Sequence, residues 1–236
     1  MATADLNGDG NLDLAFQQGV VLGYGDGAFS AAGSLYASFP ESVALGDFNR
    51  DGKLDAVVAN GGTKSSPGSL TVSLGNGDGT FTLGPNSPIA LGVNLRAIVA
   101  ADFNGDGKLD VAVTDAVSNT VMILLGNGDG TFGAPLTIPI GNDPVAIVAG
   151  DFNGDGKLDL AVANFNCTGI PLNCGQGTLT LLLGNGDGTF TQASGSPYPV
   201  GHGPYLIAAA DFNGDGKLDI AVANLIDGTV SILLQQ

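Results

Sequence analysis

Short apolar runs recur along this chain, each bracketed by glycine, aspartate or asparagine. Val145 to Ala149, Leu158 to Ala163 and Thr178 to Leu183 are the clearest, and a less regular apolar segment follows around Tyr198 to Val200. Runs this short, enclosed this closely by turn residues, predict strands and not helices. They are continuous more than alternating, the pattern of strands covered on both faces by neighbouring sheets. The small residues Ala100, Ala101, Ala208, Ala209 and Ala210 suit a crowded inner strand near an axis.

The runs belong to a repeat. A nine-residue acidic loop begins at Asp5, Asp47, Asp102, Asp151 and Asp211, so the periods are 42, 55, 49 and 60 residues. Periods of that length are the size of a propeller blade. Each repeat supplies four strand segments, which predicts an all-β chain: a β-propeller of five repeats of four-stranded antiparallel blades, in one domain over 1–236. The approximate repeats are 1–39, 40–92, 93–141, 142–201 and 202–236. The last ends at Gln236, just after its third strand, and so lacks its outer strand. Either the last blade has three strands, or another copy completes it by self-association, since an open edge favours pairing with another chain, or the chain is a segment of a longer protein.

Strand parity distributes the loops. In an up-and-down sheet the first and third connections lie on one face, the second connection and the link between blades on the other. The acidic loop and a second recurring turn, Gly-Asn-Gly-Asp-Gly, therefore share a face. The opposite face collects what differs between repeats: Lys64 to Gly68, Asp115 to Asn119, Phe165 to Gln176, Leu225 to Gly228, and the connections holding Glu41, Arg96, Asp143 and His202. Variation among repeats is where individual recognition can reside.

The acidic loop carries the chemistry. It reads Asp5, Asn7, Asp9, Asn11 and Asp13 at positions 1, 3, 5, 7 and 9. The other copies are Asp47, Asn49, Asp51, Lys53, Asp55; Asp102, Asn104, Asp106, Lys108, Asp110; Asp151, Asn153, Asp155, Lys157, Asp159; and Asp211, Asn213, Asp215, Lys217, Asp219. Ca²⁺ takes six to eight hard oxygen ligands, and side-chain oxygens at positions 1, 3, 5 and 9 with the carbonyl of position 7 can converge on one ion. Glycine at position 6 permits the sharp turn. An EF-hand loop runs to twelve residues between helices, whereas this one has Leu and Asp at positions 8 and 9 and lies between strands. Good turn sequence alone explains one copy. It does not explain three like charges recurring in register five times, which repel one another without a cation. About five Ca²⁺ ions, one per repeat, are expected; Mg²⁺ demands a tighter octahedral cage.

Charge agrees with that reading. The formal net charge is −16, and fifteen of the 23 acids stand in the five loops. Five divalent ions would bring −16 to −6, ordinary for a soluble domain. With seven Lys and Arg, five of them inside the loops, nucleic-acid binding through phosphate neutralisation is excluded. No apolar stretch approaches a membrane span, so no membrane insertion is expected. The second motif, LGNGDGTF after Leu74, Leu125 and Leu183 and LGYGDGAF after Leu22, offers one acid per copy and reads as a tight turn followed by a core phenylalanine. Cys167 and Cys174 lie seven positions apart, a spacing that can close a small loop by a disulfide in an exported protein; free thiols in a cytosolic loop are the alternative. With one histidine and its carboxylates assigned to ion binding, the chain is not expected to be an enzyme, and His202 reads as an exposed loop residue.

The run Gly-Asp-Phe-Asn-Gly-Asp-Gly, then Leu-Asp-Leu-Ala-Val-Ala, then Gly-Asn-Gly-Asp-Gly-Thr-Phe resembles the FG-GAP/VCBS repeat family over nearly the whole chain. That family includes the calcium-binding propeller of integrin α subunits and fungal propeller lectins. The resemblance implies that the acidic loop joins the first two strands of a blade and binds Ca²⁺ through the residues named above. Such propellers commonly have seven blades, and five repeats are visible here. The expectation is an extracellular or cell-surface recognition or adhesion module with a protein or carbohydrate ligand on the variable face. The alternatives are a lectin, for which Tyr24, Tyr36, Tyr198 and Tyr205 are the aromatic platforms, and a purely structural segment.

Overall fold

The structure, a computed structural model, describes residues 1–16, 18–62, 66–168 and 173–235. Lys64, part of the expected variable loop of the second repeat, residues 169–172 of the fourth and the terminal Gln236 lie outside the described residues. All regular structure is β, and every strand pair is antiparallel. No helix of the described residues is long and apolar enough to cross a membrane.

The strands form five consecutive blades. Blade 1 comprises Ala2–Ala4, Asp13–Phe16, Gly19–Gly23 and Phe29–Ser34. Blade 3 comprises Leu95–Ala101, Asp110–Asp115, Thr120–Leu124 and Leu136–Pro139. Blade 2 (Pro40–Gly46, Asp55–Asn60, Ser69–Gly75) and blade 4 (Pro144–Gly150, Asp159–Asn164, Gln176–Gly184) differ in their outer strand, which comes in two pieces. These are Phe81–Leu83 with Ile89–Ala90, and Phe190–Gln192 with Tyr198–His202, both pieces pairing with the third strand. Blade 5 has three strands, Pro204–Ala210, Asp219–Asn224 and Thr229–Leu233. The inner strands pack side by side in chain order from blade 1 to blade 5.

Burial follows from how blades stack. Middle strands such as Asp55–Asn60, Asp110–Asp115 and Asp159–Asn164 are buried at every residue, as continuous apolar runs require. Four cores hold the blades together. Ala15 and Val20 meet Val43, Val58 and Phe81 between blades 1 and 2, and Val57 and Leu70 meet Ile98, Val111 and Leu124 between 2 and 3. Val121 and Ile123 meet Leu160 and Leu182 between 3 and 4, and Ala161 and Leu179 meet Ile220 and Val222 between 4 and 5.

Among the described residues no fifth core joins blade 5 to blade 1, so the blades form an open arc. The expectation that every strand is covered on both faces fails at both ends. Leu179, on the face of blade 4 that meets blade 5, is fully buried, whereas its counterpart on blade 5, Val230, is 62% exposed. Phe48, Phe103 and Phe152 are buried and their counterpart Phe212 is 47% exposed. On the reverse face Phe81 of blade 2 is buried and Phe29 of blade 1 is 49% exposed. The small residues Ala100, Ala101, Ala208, Ala209 and Ala210 do lie on inner strands, but they are partly open to solvent and not crowded, because the arc leaves the axial side accessible.

Candidate metal centre

Each acidic loop joins the first and second strands of its blade, and its backbone is turned inward on its own carboxylates. In the first loop Asp5 at position 1 accepts the N–H groups of Gly8, Asp9 and Gly10 at 2.7, 3.2 and 2.8 Å. Asp102, Asp151 and Asp211 accept the same three donors of their loops. Asp47 accepts two, from Asp51 and Gly52. At position 3, Asn7, Asn49, Asn104, Asn153 and Asn213 accept the N–H of position 5 through the amide oxygen. The position-5 acids Asp9, Asp51, Asp106, Asp155 and Asp215 accept the N–H of position 7, from Asn11, Lys53, Lys108, Lys157 and Lys217. Glycine at position 6 always has φ between 78° and 87°, the left-handed turn that brings these donors round. Position 4 tolerates a side chain, since Arg50 stands there at φ 63°.

The position-9 aspartates differ from the others. Asp13, Asp55, Asp110, Asp159 and Asp219 are fully buried. One oxygen of each accepts the N–H of position 2 (Leu6, Phe48, Phe103, Phe152, Phe212) at 2.8 to 3.0 Å. The other accepts the N–H at the end of the third strand, from Gly23, Gly75, Gly126, Gly184 and Gln235, at 2.8 to 2.9 Å. This residue therefore staples the loop to the third strand, a role that its sequence position did not disclose. Burial raises the pKa of Asp55, Asp110 and Asp159; these amide bonds oppose the rise, and the negative charge of other acids in the same loop adds to it, Asp51 for Asp55, Asp102 and Asp106 for Asp110, Asp155 and Asp151 for Asp159. Hydrogen bonds lower Asp9 (chiefly from the Asn11 amide) and Asp211 (chiefly from Gly216), and in Asp151 several amides together outweigh burial.

The donor set suits a hard divalent cation. Lone pairs remain on these carboxylates, although one oxygen of Asp5, Asp102, Asp151 and Asp211 accepts two N–H groups, and in the third and fourth loops positions 1, 5 and 9 lie close enough to feel one another's charge. As the side chains stand, among the described residues no three acidic, imidazole or thiol groups are clustered tightly enough to hold an ion.

The second motif is a turn. Asn76, Asn127 and Asn185 donate their N–H to the carbonyls of Thr80, Thr131 and Thr189, and the threonine hydroxyls bond Asp78, Asp129 and Asp187 at 2.5 Å. It shares a face with the acidic loop: the aliphatic stems of Lys53, Lys108 and Lys157 lie over Gly77, Gly128 and Gly186.

On the opposite face Glu41, Arg96 and Asp143 do converge. Together with Phe165 and Tyr205 they line a cavity of about 540 Å³ at the axial side of the arc. Arg96 pairs with Glu41 at 3.6 Å. Burial raises the pKa of Asp143 and Arg96 offsets part of the rise. Phe165 and Tyr205 meet edge to face at 6.5 Å. His202 stands apart, with Asp227 at 3.1 Å. Cys167 and Cys174 are joined by a disulfide that closes a small ribbon near this face.

One element of that face departs from its reading in the sequence. Asp115 is the last residue of a middle strand, not a loop residue: fully buried, it accepts N–H bonds from Val93, Asn94, Val117 and Ser118 and the Ser118 hydroxyl. Asn60, Asn164 and Asn224 occupy the same place in blades 2, 4 and 5 and bond serine or threonine hydroxyls of the third strand. On the acidic-loop face, the phenylalanine expected to be core after the second turn is buried in blade 2, at Phe81, but exposed in blade 1, at Phe29.

Comparison with known proteins agrees with this architecture. No curated protein matches the chain. Among solved structures, one of the Photorhabdus luminescens Tc holotoxin pore matches at 20% identity and a TM-score of 0.50, over 98% of this chain and 11% of the toxin chain. A fructofuranosidase of Schwanniomyces occidentalis matches at 12% identity and a TM-score of 0.54, over 88% of this chain and 46% of the enzyme. The chain thus spans less than half of either, and at these identities the likeness shows fold alone. The model of the FG-GAP-like repeat matches residues 5–58, 47–113, 102–162 and 170–222, and that of the FG-GAP repeat matches 144–182. The chain belongs to the FG-GAP repeat family.

Proposed function

We propose that the chain is a calcium-stabilised recognition or adhesion module of an exported protein, without catalytic activity, whose ligand approaches the face opposite the acidic loops. The observation that carries the ion is the fivefold loop itself, where a shell of amide donors holds the aspartates in place and, in the third and fourth loops, all three lie within mutual electrostatic reach. Ca²⁺ supplies the positive charge that this arrangement lacks. The disulfide supports an oxidising compartment. The partner is a protein or carbohydrate, and neither nucleic acid nor membrane insertion fits so acidic a chain.

With a dissociation constant on the order of 10⁻⁴ M and ~1 to 2 mM free Ca²⁺, each site contributes ~1.4 to 1.8 kcal/mol. Five would contribute roughly 7 to 9 kcal/mol, as much as a typical domain's whole stability of ~5 to 15. Thermal unfolding in 2 mM Ca²⁺ and in excess EGTA tests this: a marked drop in Tm on chelation is expected, and superimposable curves overturn the calcium reading.

A lectin is the second reading, favoured by Tyr205 and Phe165 at the wall of the axial cavity. A glycan array decides it. A sugar signal abolished by Tyr205→Ala supports the lectin, and silence leaves protein recognition.

A further inference from the structure

The inner strands of blades 2 to 5 carry the same irregularity at the same place. In blade 2, Pro40 pairs with Asn60 and Ser42 with Ala59, so Glu41 is an extra residue in the register. Val145 in blade 4 and Tyr205 in blade 5 are extra in the same way. In blade 3 the register shifts between Leu95 and Ile98, and Arg96 stands at the corresponding place. A bulge re-aims the side chain that it carries, and bulges gather beside functional sites. All four residues line the axial cavity of about 540 Å³, a volume within the range of small-ligand sites. They are an acid, a base, an aliphatic and a phenol, so one repeated device of the fold presents four different chemistries to one space.

The charges in that space do not balance. Arg96, the only basic side chain among the described residues that line the cavity, lies 3.6 Å from Glu41. Asp143 lines the same cavity, and its carboxylate accepts no hydrogen bond among the described residues. Burial raises its pKa and Arg96 offsets only part of the rise, so positive charge is still lacking there. The Asp143 carbonyl accepts the N–H of Phe165 at 2.8 Å, which ties this acid to the segment carrying the edge-to-face pair of Phe165 and Tyr205. An acid short of a counter-charge, walled by aromatic rings and an aliphatic side chain, suits a cation with an apolar stem.

We propose that the axial cavity binds an organic cation, an ammonium group on an aliphatic stem. Asp143 takes the charge, Val145, Phe165 and Tyr205 cover the stem, and the bulge residues set specificity. The site lies on the face opposite the acidic loops and so rests on the function proposed above, to which it adds the chemistry of the ligand. A lysine side chain of a polypeptide and a small alkylamine share that chemistry.

The test is titration of the full chain, followed through its amide chemical shifts by NMR, with n-butylamine, Nα-acetyl-lysine methylamide and the norleucine counterpart of the latter, which has no ammonium. Saturable shifts at Glu41, Arg96, Asp143 and Tyr205 are expected with both amines and not with the norleucine compound. Equal affinity of the two amines points to a small amine as the ligand and preference for the lysine derivative to a polypeptide; both uphold the cation. Asp143→Asn should weaken amine binding about tenfold or more, since it removes the charge. Asparagine tolerates the φ of 55° at this position and no side-chain hydrogen bond is lost among the described residues, so the fold is kept. Arg96→Gln should strengthen binding about threefold by removing the competing cation, a gain that a misfolded variant does not give. Silence of both amines, or affinity indifferent to both substitutions, overturns the proposal. Saturable shifts with the norleucine compound as well overturn the ammonium alone and leave this face a recognition surface. Shifts confined to the acidic-loop face overturn the reading on which the site rests.

Discussion

At the scale of single residues, the loop aspartates divide into two kinds, and removing each should read differently. Asp110 is buried with both oxygens on backbone N–H groups, from Phe103 and Gly126. Asp110→Ala leaves those donors unpaired, at ~1 to 3 kcal/mol each. Urea unfolding in EGTA should therefore show a loss of about 2 to 5 kcal/mol. Asp106 is exposed and bonded within its own loop. Asp106→Ala should leave the EGTA midpoint nearly unchanged while shrinking the stabilisation that Ca²⁺ adds; equal effects of the two variants in EGTA would show that the division is wrong. Asp115 gives a prediction free of ions. Burial raises its pKa, but the amides of Val93, Ser118 and Asn94 and the Ser118 hydroxyl outweigh it, so the net shift is downward. A depressed carboxylate contributes stability that is present above the unfolded-state pKa of ~3.9 and is lost as pH falls through the folded value. Asp115→Asn should thus cost about 2 kcal/mol at pH 7, and the gap to the parent should close in unfolding titrations taken below about pH 4.

At the scale of elements, two sets of glycines look alike in sequence and do different things. Gly105, at loop position 4, has φ 74° and open space where a Cβ would go. Gly126, at the end of a third strand, lacks a positive φ, but a Cβ there would run into the carbonyl oxygen of Leu109. Gly23, Gly75 and Gly184 meet Leu12, Leu54 and Leu158 in the same way. Overpacking against backbone costs ~1 to 3 kcal/mol or more, whereas asparagine tolerates the left-handed region. Gly126→Ala should lower Tm clearly and Gly105→Asn hardly at all; the reverse order in a melting series would refute this account. The contrast also marks how far the sequence could be read. The strands and the turn of the acidic loop were legible because each depends on residues within a few positions of one another, as in Leu158 to Ala163. The third-strand glycine and the staple of Asp110 were not, because the Asp110 carboxylate meets Gly126 sixteen positions away and only folding brings the two together. The burial of Asp115 was hidden for the same reason, since two of its donors, Val93 and Asn94, precede it by more than twenty residues.

At the scale of the molecule, the five repeats announced five blades but could not announce that the arc formed by residues 1–235 stays open. Repeats dictate the interface between neighbours, and whether the ends meet depends on the angle accumulated over all of them. The open ends expose the two halves of the interface that the chain builds four times internally. Blade 5 presents Leu206, Phe212, Val230 and Ile232, the counterparts of Ala146, Phe152, Leu179 and Leu181. Blade 1 presents Leu12, Phe16 and Phe29, the counterparts of Leu54, Val58 and Phe81. Apolar faces of this kind mark surfaces that a further unit, of the same or another chain, can cover. Because the faces are unlike and mutually complementary, two isolated copies of residues 1–236 are expected to meet head to tail. Concentration-dependent mass by light scattering should reveal it. Val230→Asp and Phe29→Asp should each give monomers, since each removes one half of the contact. Mixing the two variants should restore a one-to-one dimer and nothing larger, because only one intact pair of faces remains. A chain that is monomeric at every concentration, or variants that fail to rescue one another, would show that the faces do not meet in this way.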